Sequence, residues 1–297
     1  MPSTFTAIDL SQIPAPDVIE QLDYETIYAE MLAKLKEFIP DFDDSIESDP
    51  AVIVLQVAAY FRMLDRQRVN DAARAVMLPY AAAADLDNLG ALVGVTRLTI
   101  TPADEENGIP AVMESDTDFR RRITLAPEGY SVAGPRGAYI FHALSADADV
   151  ADASAISPAP TEVEVYVLSR MGDGTPTAEV LAAVEAALND EDVRPLGDQV
   201  TVAGATITGY AIAADIYTFA GPDSAVVMAE AQSRIEEWVE DSRKIGRDIT
   251  RAGIIAALFA GGVQNVDLTS PAADLAMDET AAGYCTGIAL NWAGVAE

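Results

Sequence analysis

His142 is the only histidine and Cys285 the only cysteine in the chain, and that scarcity bounds the chemistry. A zinc site needs about four ligands, drawn mostly from Cys and His, and one of each is too few. A nucleophile activated by histidine needs the imidazole beside it and a third group to orient the ring. His142 sits instead in the apolar stretch "AYIFHALSA", next to Phe141, which is the setting of a core or interface histidine. The lone cysteine cannot form an internal disulfide. "DFDDSIESD" at 41–49 is acidic but lacks the glycine and spacing of a calcium loop, so it reads as a solvated turn leading into a helix cap. "GDGTP" at 172–176 has no lysine and no phosphate-loop spacing. The catalytic patterns G-x-S-x-G, H-E-x-x-H and G-x-G-x-x-G do not occur. Among 48 acidic residues, carboxylate pairs arise by chance, so no glycosidase pair can be picked out. The residues therefore lead us to expect no catalytic site, no metal and no cofactor.

One cluster stands out against this background. Arg120, Arg121 and Arg122 are consecutive in "SDTDFRRRI" (115–123), in a chain with 18 basic against 48 acidic residues and a net charge of −30. A polyanion repels nucleic acid and anionic membrane alike, so the arginines are expected to serve protein contacts. Two readings stand: a solvated helix face pairing with nearby acids, or docking on an acidic surface of a neighbouring subunit. Arg136, in the "AGPRG" turn, belongs with them.

These residues must be positioned by something. Ser115 is a helix cap with acids in the first turn, which places Phe119 and Ile123 on one face and spreads the arginines over the others. "PEGYSVAGPRG" then reads as a loop before a helix at 138–146. Upstream the chain is helical. Asp23 caps a helix with Ile27, Met31, Leu35 and Phe38 on one face, ended by Pro40. Asp49 and Pro50 start a second helix running to about Leu78, roughly 40 Å long. Its first half, 52–61, is apolar on nearly every side; its second half carries Arg62, Asp65, Arg66, Arg68, Asp71 and Arg74. Such a helix needs cover on all faces, from its own chain or from another. The expectation is that Ile53, Val57, Tyr60, Phe61 and Leu64 pack in a bundle with another chain. A short third helix follows Asp85.

From residue 147 the texture changes. "TEVEVYVLS" at 161–169 alternates as a half-buried strand, with Val163, Val165 and Val167 on one side. Thr175 and Pro176 open a helix, and "DQVTVAG" at 198–204 returns as a strand. The pattern repeats with a strand at 206–219, a "GPD" turn at 221–223, a helix to about Lys244, a helix from Thr250 to Gly261–Gly262, and the strand "VQNVDLTSP". The fold class is α+β: an N-terminal helical domain with a long helix, then two small α+β modules. The expected boundaries are 1–110, 111–204 and 205–297. "MPSTFTAIDLSQIPAP" lacks the pattern of a signal peptide, and the longest apolar run, 51–61, is too short to span a bilayer, so a chain held in the cytoplasm until it meets its partner is expected.

Taken together, "DLSQIPAPDVIE", "RQRVNDAARAVMLPYA", "ADLDNL", "ESDTDFRRRI", "GPRGAYIFHALSA", "SPAPTEVEVYVLSRMGDGT", "ALNDEDVRPLGDQVTV" and "YCTGI" resemble the baseplate J-like proteins of contractile-tailed phages, in order and over nearly the whole chain. The resemblance implies a structural subunit of the tail baseplate wedge, resident in the virion. It implies that two copies join one copy of a different wedge protein, that the N-terminal helices meet the sheath-initiator protein, and that the C-terminal domains contact neighbouring wedges in a six-fold ring around the hub. Relatives occur in tailocins and other contractile injection systems, and no catalytic residue is implied. The alternative is a tail-associated cell-wall-degrading enzyme, needing a carboxylate pair in a cleft, or a host-binding module, needing clustered aromatics in a chain only 7% aromatic.

Overall fold

The computed structural model describes residues 10, 13, 14, 16, 18–46, 48–221 and 223–296. Residues 1–9, and Pro222 of the expected 221–223 turn, lie outside them. The chain divides into two compact units. One holds residues 6–97 and 115–124; the other holds 98–114 and 125–297.

The first unit is helical, and its helices begin where short polar side chains can accept the free N–H groups of a first turn. Asp23 accepts from Thr26 N at 2.8 Å and starts α1 (Tyr24–Phe38). Asp49 accepts from Ala51 N at 2.7 Å and, with Pro50 at the first position, starts α2 (Pro50–Ala75). The third helix, α3 (Ala83–Leu92), starts two residues before Asp85, and its first turn is held from outside: Asp116 accepts from Ala83 N at 3.1 Å. Ser115 accepts from Asp118 N and opens α4 (Asp116–Gly129). The expected loop from Pro127 onward begins three residues later, because α4 continues through Pro127. Proline forfeits one helical hydrogen bond, and the buried Leu125 and Ala126 hold that last turn in place.

Ile27, Val52, Ala59, Leu86, Val95, Phe119 and Ile123 make the core of this unit. Phe119 and Ile123 are four apart on one face of α4, as their spacing requires. Gly90 lets α3 approach that face closely. A Cβ there would come within 2.6 Å of the Phe119 ring and 2.8 Å of the Val95 carbonyl.

The second unit carries a short hairpin, β1 (Thr99–Thr101) with β2 (Val112–Met113), then two α+β modules. The central module follows α5 (Arg136–Ala146) and is built from β3 (Val150–Ile156), β4 (Glu162–Ser169), α6 (Ala178–Leu188) and β5 (Gln199–Gly204). Its strand order is β3-β4-β5; β4 pairs antiparallel with β3 and parallel with β5. Val165 and Val167 are fully buried, as the alternation demands. The cap of α6 is Thr177, which accepts from Val180 N, and not Thr175; Pro176 stands just before it.

The C-terminal module runs β6 (Thr206–Thr218), α7 (Ser224–Ser242), α8 (Arg251–Leu258), β7 (Val263–Ser270) and β8 (Ala281–Val295). β6 is central, antiparallel to β7 and parallel to β8. Ile212 and Ile216 from the sheet pack with Ile235, Ile254 and Leu258 from the helices in one buried cluster. The two modules join through Asp152, which accepts from Ile245 N at 2.8 Å, through Arg243, which donates to the Gly172 carbonyl at 2.9 Å, and through a small apolar seam of Leu168, Ala205 and Ala282.

Candidate protein-interaction surface

The long helix α2 has two unlike faces. Val52 and Ala59 are buried, Leu55 borders Met31 and Leu35 of α1, and the Tyr24 hydroxyl donates to the Gln56 carbonyl. This side is covered by its own chain. Ile53, Val57, Tyr60, Phe61 and Leu64 recur at steps of four, three, one and three, which puts them on one stripe away from that side. All five are exposed, Phe61 by 59%, and the Tyr60 and Phe61 rings meet edge to face at 5.7 Å. Scattered exposed apolar residues are ordinary; a continuous stripe is not, and it makes this face the candidate surface.

The polar half of α2 is tied to the incoming chain. Asn70, buried, grips Glu20 with two bonds: it accepts from Glu20 N at 3.0 Å and donates to Glu20 O at 2.8 Å. Arg66 Nε donates to the Glu20 carboxylate at 2.7 Å, and this bond holds the Glu20 carboxyl below the usual carboxylate range. Glu20, Glu30, Asp65, Arg62 and Arg66 line a cleft together with Ile27, Met31 and Val69.

The three arginines of α4 are placed differently from one another. Arg120 donates to the carbonyls of Leu78 (2.8 Å) and Ala81 (2.6 Å), fixing the turn that links α2 to α3. Its partners are backbone carbonyls of its own chain. Arg122 is only 6% exposed and donates to the Thr96 carbonyl at 3.2 Å. Arg121 is half-buried. Arg136 belongs to the other unit, at the start of α5, and its Nη1 lies 2.8 Å from a Glu279 carboxylate oxygen.

Sequence reasoning passed over Arg97. It pairs with Asp87 at 2.8 Å and Asp116 at 2.7 Å, and it lies over the Phe119 ring with its guanidinium carbon 4.7 Å from the centroid. Asp116 is held below the usual carboxylate range, first by the Ala83 N–H and then by Arg97. A single arginine in "GVTRLTI" gives no local sign of this, since its acids lie ten residues before it and nineteen after it. His142 packs edge to face on Phe141, and its Nε2 lies 3.2 Å from the Gly129 carbonyl. Burial pushes its pKa below the usual histidine range, the Gly129 carbonyl opposing. Among the described residues no helix is long and apolar enough to cross a membrane, and no group of three or more His, Cys, Asp and Glu is gathered to hold a metal.

These are the features of a chain whose distinctive surface is apolar contact area, and the comparisons say where such a chain is found. Family models match three stretches: the baseplate J-like N-terminal domain at residues 47–104, the central domain at 131–204 and the C-terminal domain at 210–291. Baseplate protein J of Escherichia phage P2 is 49% identical over 288 residues, covering 94% of this chain and 95% of that protein. The chain belongs to the baseplate J-like family, and its role is structural, in the phage tail baseplate. Among solved structures, a chain of the anti-feeding prophage baseplate, determined by cryo-EM with six-fold symmetrisation, aligns with a TM-score of 0.40 at 14% identity. That alignment covers 60% of this chain and 44% of the other.

Proposed function

We propose that the chain is a wedge subunit of the baseplate. In this reading two copies join one copy of a different wedge protein, the N-terminal helices meet the sheath-initiator protein, and neighbouring wedges close a six-fold ring around the hub. The subunit is made in the host cytoplasm and works without catalysis, metal or cofactor, and without nucleic acid or membrane. The chain acts in three segments, 1–110, 111–204 and 205–297, the first supplying the bundle helix.

The observation that carries this reading is the uncovered stripe Ile53–Val57–Tyr60–Phe61–Leu64 on α2. Burying an exposed apolar side chain of this size in a partner contributes about 1–2 kcal/mol, so five give a sizeable gross drive toward a helical bundle. In the same reading Arg121 and Arg136 reach neighbouring protein, while Arg120 and Arg122 shape the surface by bracing its turns. A cell-wall-degrading role has less support. Its best candidate cleft holds Glu20 as a depressed, ionised carboxyl, whereas a glycosidase acid needs a raised one.

The test is co-expression with a candidate wedge partner of the same baseplate. Val57→Asp combined with Phe61→Asp should abolish co-purification while leaving the circular-dichroism spectrum of the isolated chain unchanged. A complex that survives both charges would remove the bundle claim.

A further inference from the structure

β8 is an edge strand of unusual make-up. The two three-stranded sheets have four edges: β3, β5, β7 and β8. β3 is tied to the C-terminal module through the buried Asp152, which accepts from Ile245 N, β7 carries the exposed Asp267, and β5 is six residues long directly behind Asp198. Charges and short length are the usual means by which an edge is kept from pairing with a stray chain. β8 has 15 residues, and from Ala281 to Ala296 there is no Asp, Glu, Lys or Arg, in a chain that is 22% charged.

Bulges also blunt edges, and β8 has two. Its register with β6 slips at Thr286, between Cys285 and Gly287, and at Ala293, between Trp292 and Gly294. Between them lies a regular run, Gly287–Trp292, paired residue for residue with Ala211–Ile216. That run is the length of an ordinary strand. The isolated bridge from Ile245 reaches β8 only at Ala282, well before it.

At the end of the run stands an apolar anchor. Trp292 is 51% exposed, yet its Nε1 is fixed on Thr218 Oγ1 at 3.2 Å. Val295 is the register partner of Thr218, Phe219 follows it, and both are exposed. A half-exposed, pinned tryptophan is the kind of side chain that dominates binding energy at interfaces.

One row across the sheet identifies the chemistry of the missing neighbour. Asp267 of β7, Asp215 of β6 and Asn291 of β8 are successive register partners, so their side chains share one face. Asn291 Nδ2 donates to Asp215 Oδ1 at 3.2 Å. Two carboxylates side by side, ending in an amide at the open edge, favour a basic residue in the next position of the row.

We propose that the Gly287–Trp292 edge takes up an extended strand from a different protein of the baseplate, one that places Lys or Arg beside Asn291 and apolar side chains against Trp292. Main-chain hydrogen bonds would supply the affinity and the Asp267–Asp215–Asn291 row the selectivity. A second copy fits poorly as the occupant, since each copy brings a net charge of −30. This inference rests on the reading of the chain as an assembly subunit and adds a second surface to it, on another unit from the α2 stripe.

Hydrogen exchange tests it, comparing the isolated protein with tails assembled from it. Amides of 287–292 that face the open edge should exchange freely in the isolated chain and slow by about tenfold or more in tails. Trp292→Ala, which also gives up the bond to Thr218, and Asn291→Lys should each reduce incorporation into tails by about tenfold, and Asn291→Lys should leave the melting curve of the isolated chain in place. Equal exchange in both states, with the chain present in tails, overturns the strand proposal and leaves the wedge reading standing. Protection that rises with concentration in the isolated protein assigns the edge to a second copy and also overturns it. Absence of the chain from tails removes the wedge reading and this one together.

Discussion

The N-terminal helical unit and the C-terminal module use the same kinds of apolar residue to opposite ends. In the C-terminal module Ile212, Ile216, Ile235, Ile254 and Leu258 are sealed from water by a sheet and two helices of one chain. In the helical unit Ile53, Val57, Tyr60, Phe61 and Leu64 stand in the open on the longest helix. A three-stranded sheet with two helices closes over its own core. A long helix flanked on one side by a single shorter helix cannot, because a cylinder apolar all round needs neighbours all round. The C-terminal core is covered by its own chain, whereas the α2 stripe is left in water.

The sharpest way to break this comparison is to truncate matching side chains in the two places. Ile254→Ala should lower the unfolding free energy by about 2–5 kcal/mol, since it removes three carbons from a fully buried site. Chemical denaturation reads this directly, and a loss near zero would show that the core relaxes into the space. Arg120→Ala should cost about 1–3 kcal/mol, because two carbonyls at the α2–α3 turn lose a charged donor. If Arg120 were only a solvated charge, its replacement would leave the denaturation midpoint unmoved.

Acid should separate the two units next. The His142 pKa is lowered in the fold, so its contribution is fully present above pH 6.5 and is lost as pH falls from 6.5 through the folded value. The Asp116 pKa is also lowered, so its contribution is fully present above pH 3.8 and is lost only as pH falls from there through its own folded value. The α+β unit should therefore begin to weaken first. Thermal melts across this range should show a slope below pH 6.5 that His142→Gln removes, and a slope that survives the substitution would assign it to other groups. Last comes the smallest effect: Val57→Ser should change the stability of the isolated chain by less than about 0.5 kcal/mol, since the side chain is already in water. A loss comparable to that of Ile254→Ala would mean the stripe is covered from within.

Much of this was readable along the chain. Asp23, Asp49 and Ser115 start helices because a short oxygen acceptor satisfies N–H groups two or three residues ahead, and that geometry is local. The Val163–Val165–Val167 alternation gives a strand for the same reason. Spacing puts the five stripe residues of α2 on one side, and the fold decides that this side stays open. Four strands escaped: the short β1 and β2, and the longer β3 and β8. β3, "VADASAI", and β8, "AAGYCTGIALNWAGV", are rich in alanine and glycine, which carry little strand preference; they are strands because of what they pair with. β8 lies 75 residues from its partner at the first register pair, Thr206 with Ala281, and nothing in a local window reports that.

The amino-acid sequence by itself settled the elements with local causes: the capped helices, the alternating strand, the net charge of −30, and the presence of a single histidine and a single cysteine. Tertiary structure alone decided the fate of the arginines and of the edge. Arg120 binds carbonyls 42 and 39 residues away, Arg122 is buried against a carbonyl 26 residues away, and Arg97 gathers two acids around an aromatic ring. Three neighbouring side chains of one type part ways because a helix points them to different sides, and what waits on each side is set by distant chain. Side-chain spacing is a local property; burial and pairing belong to whatever the fold brings alongside.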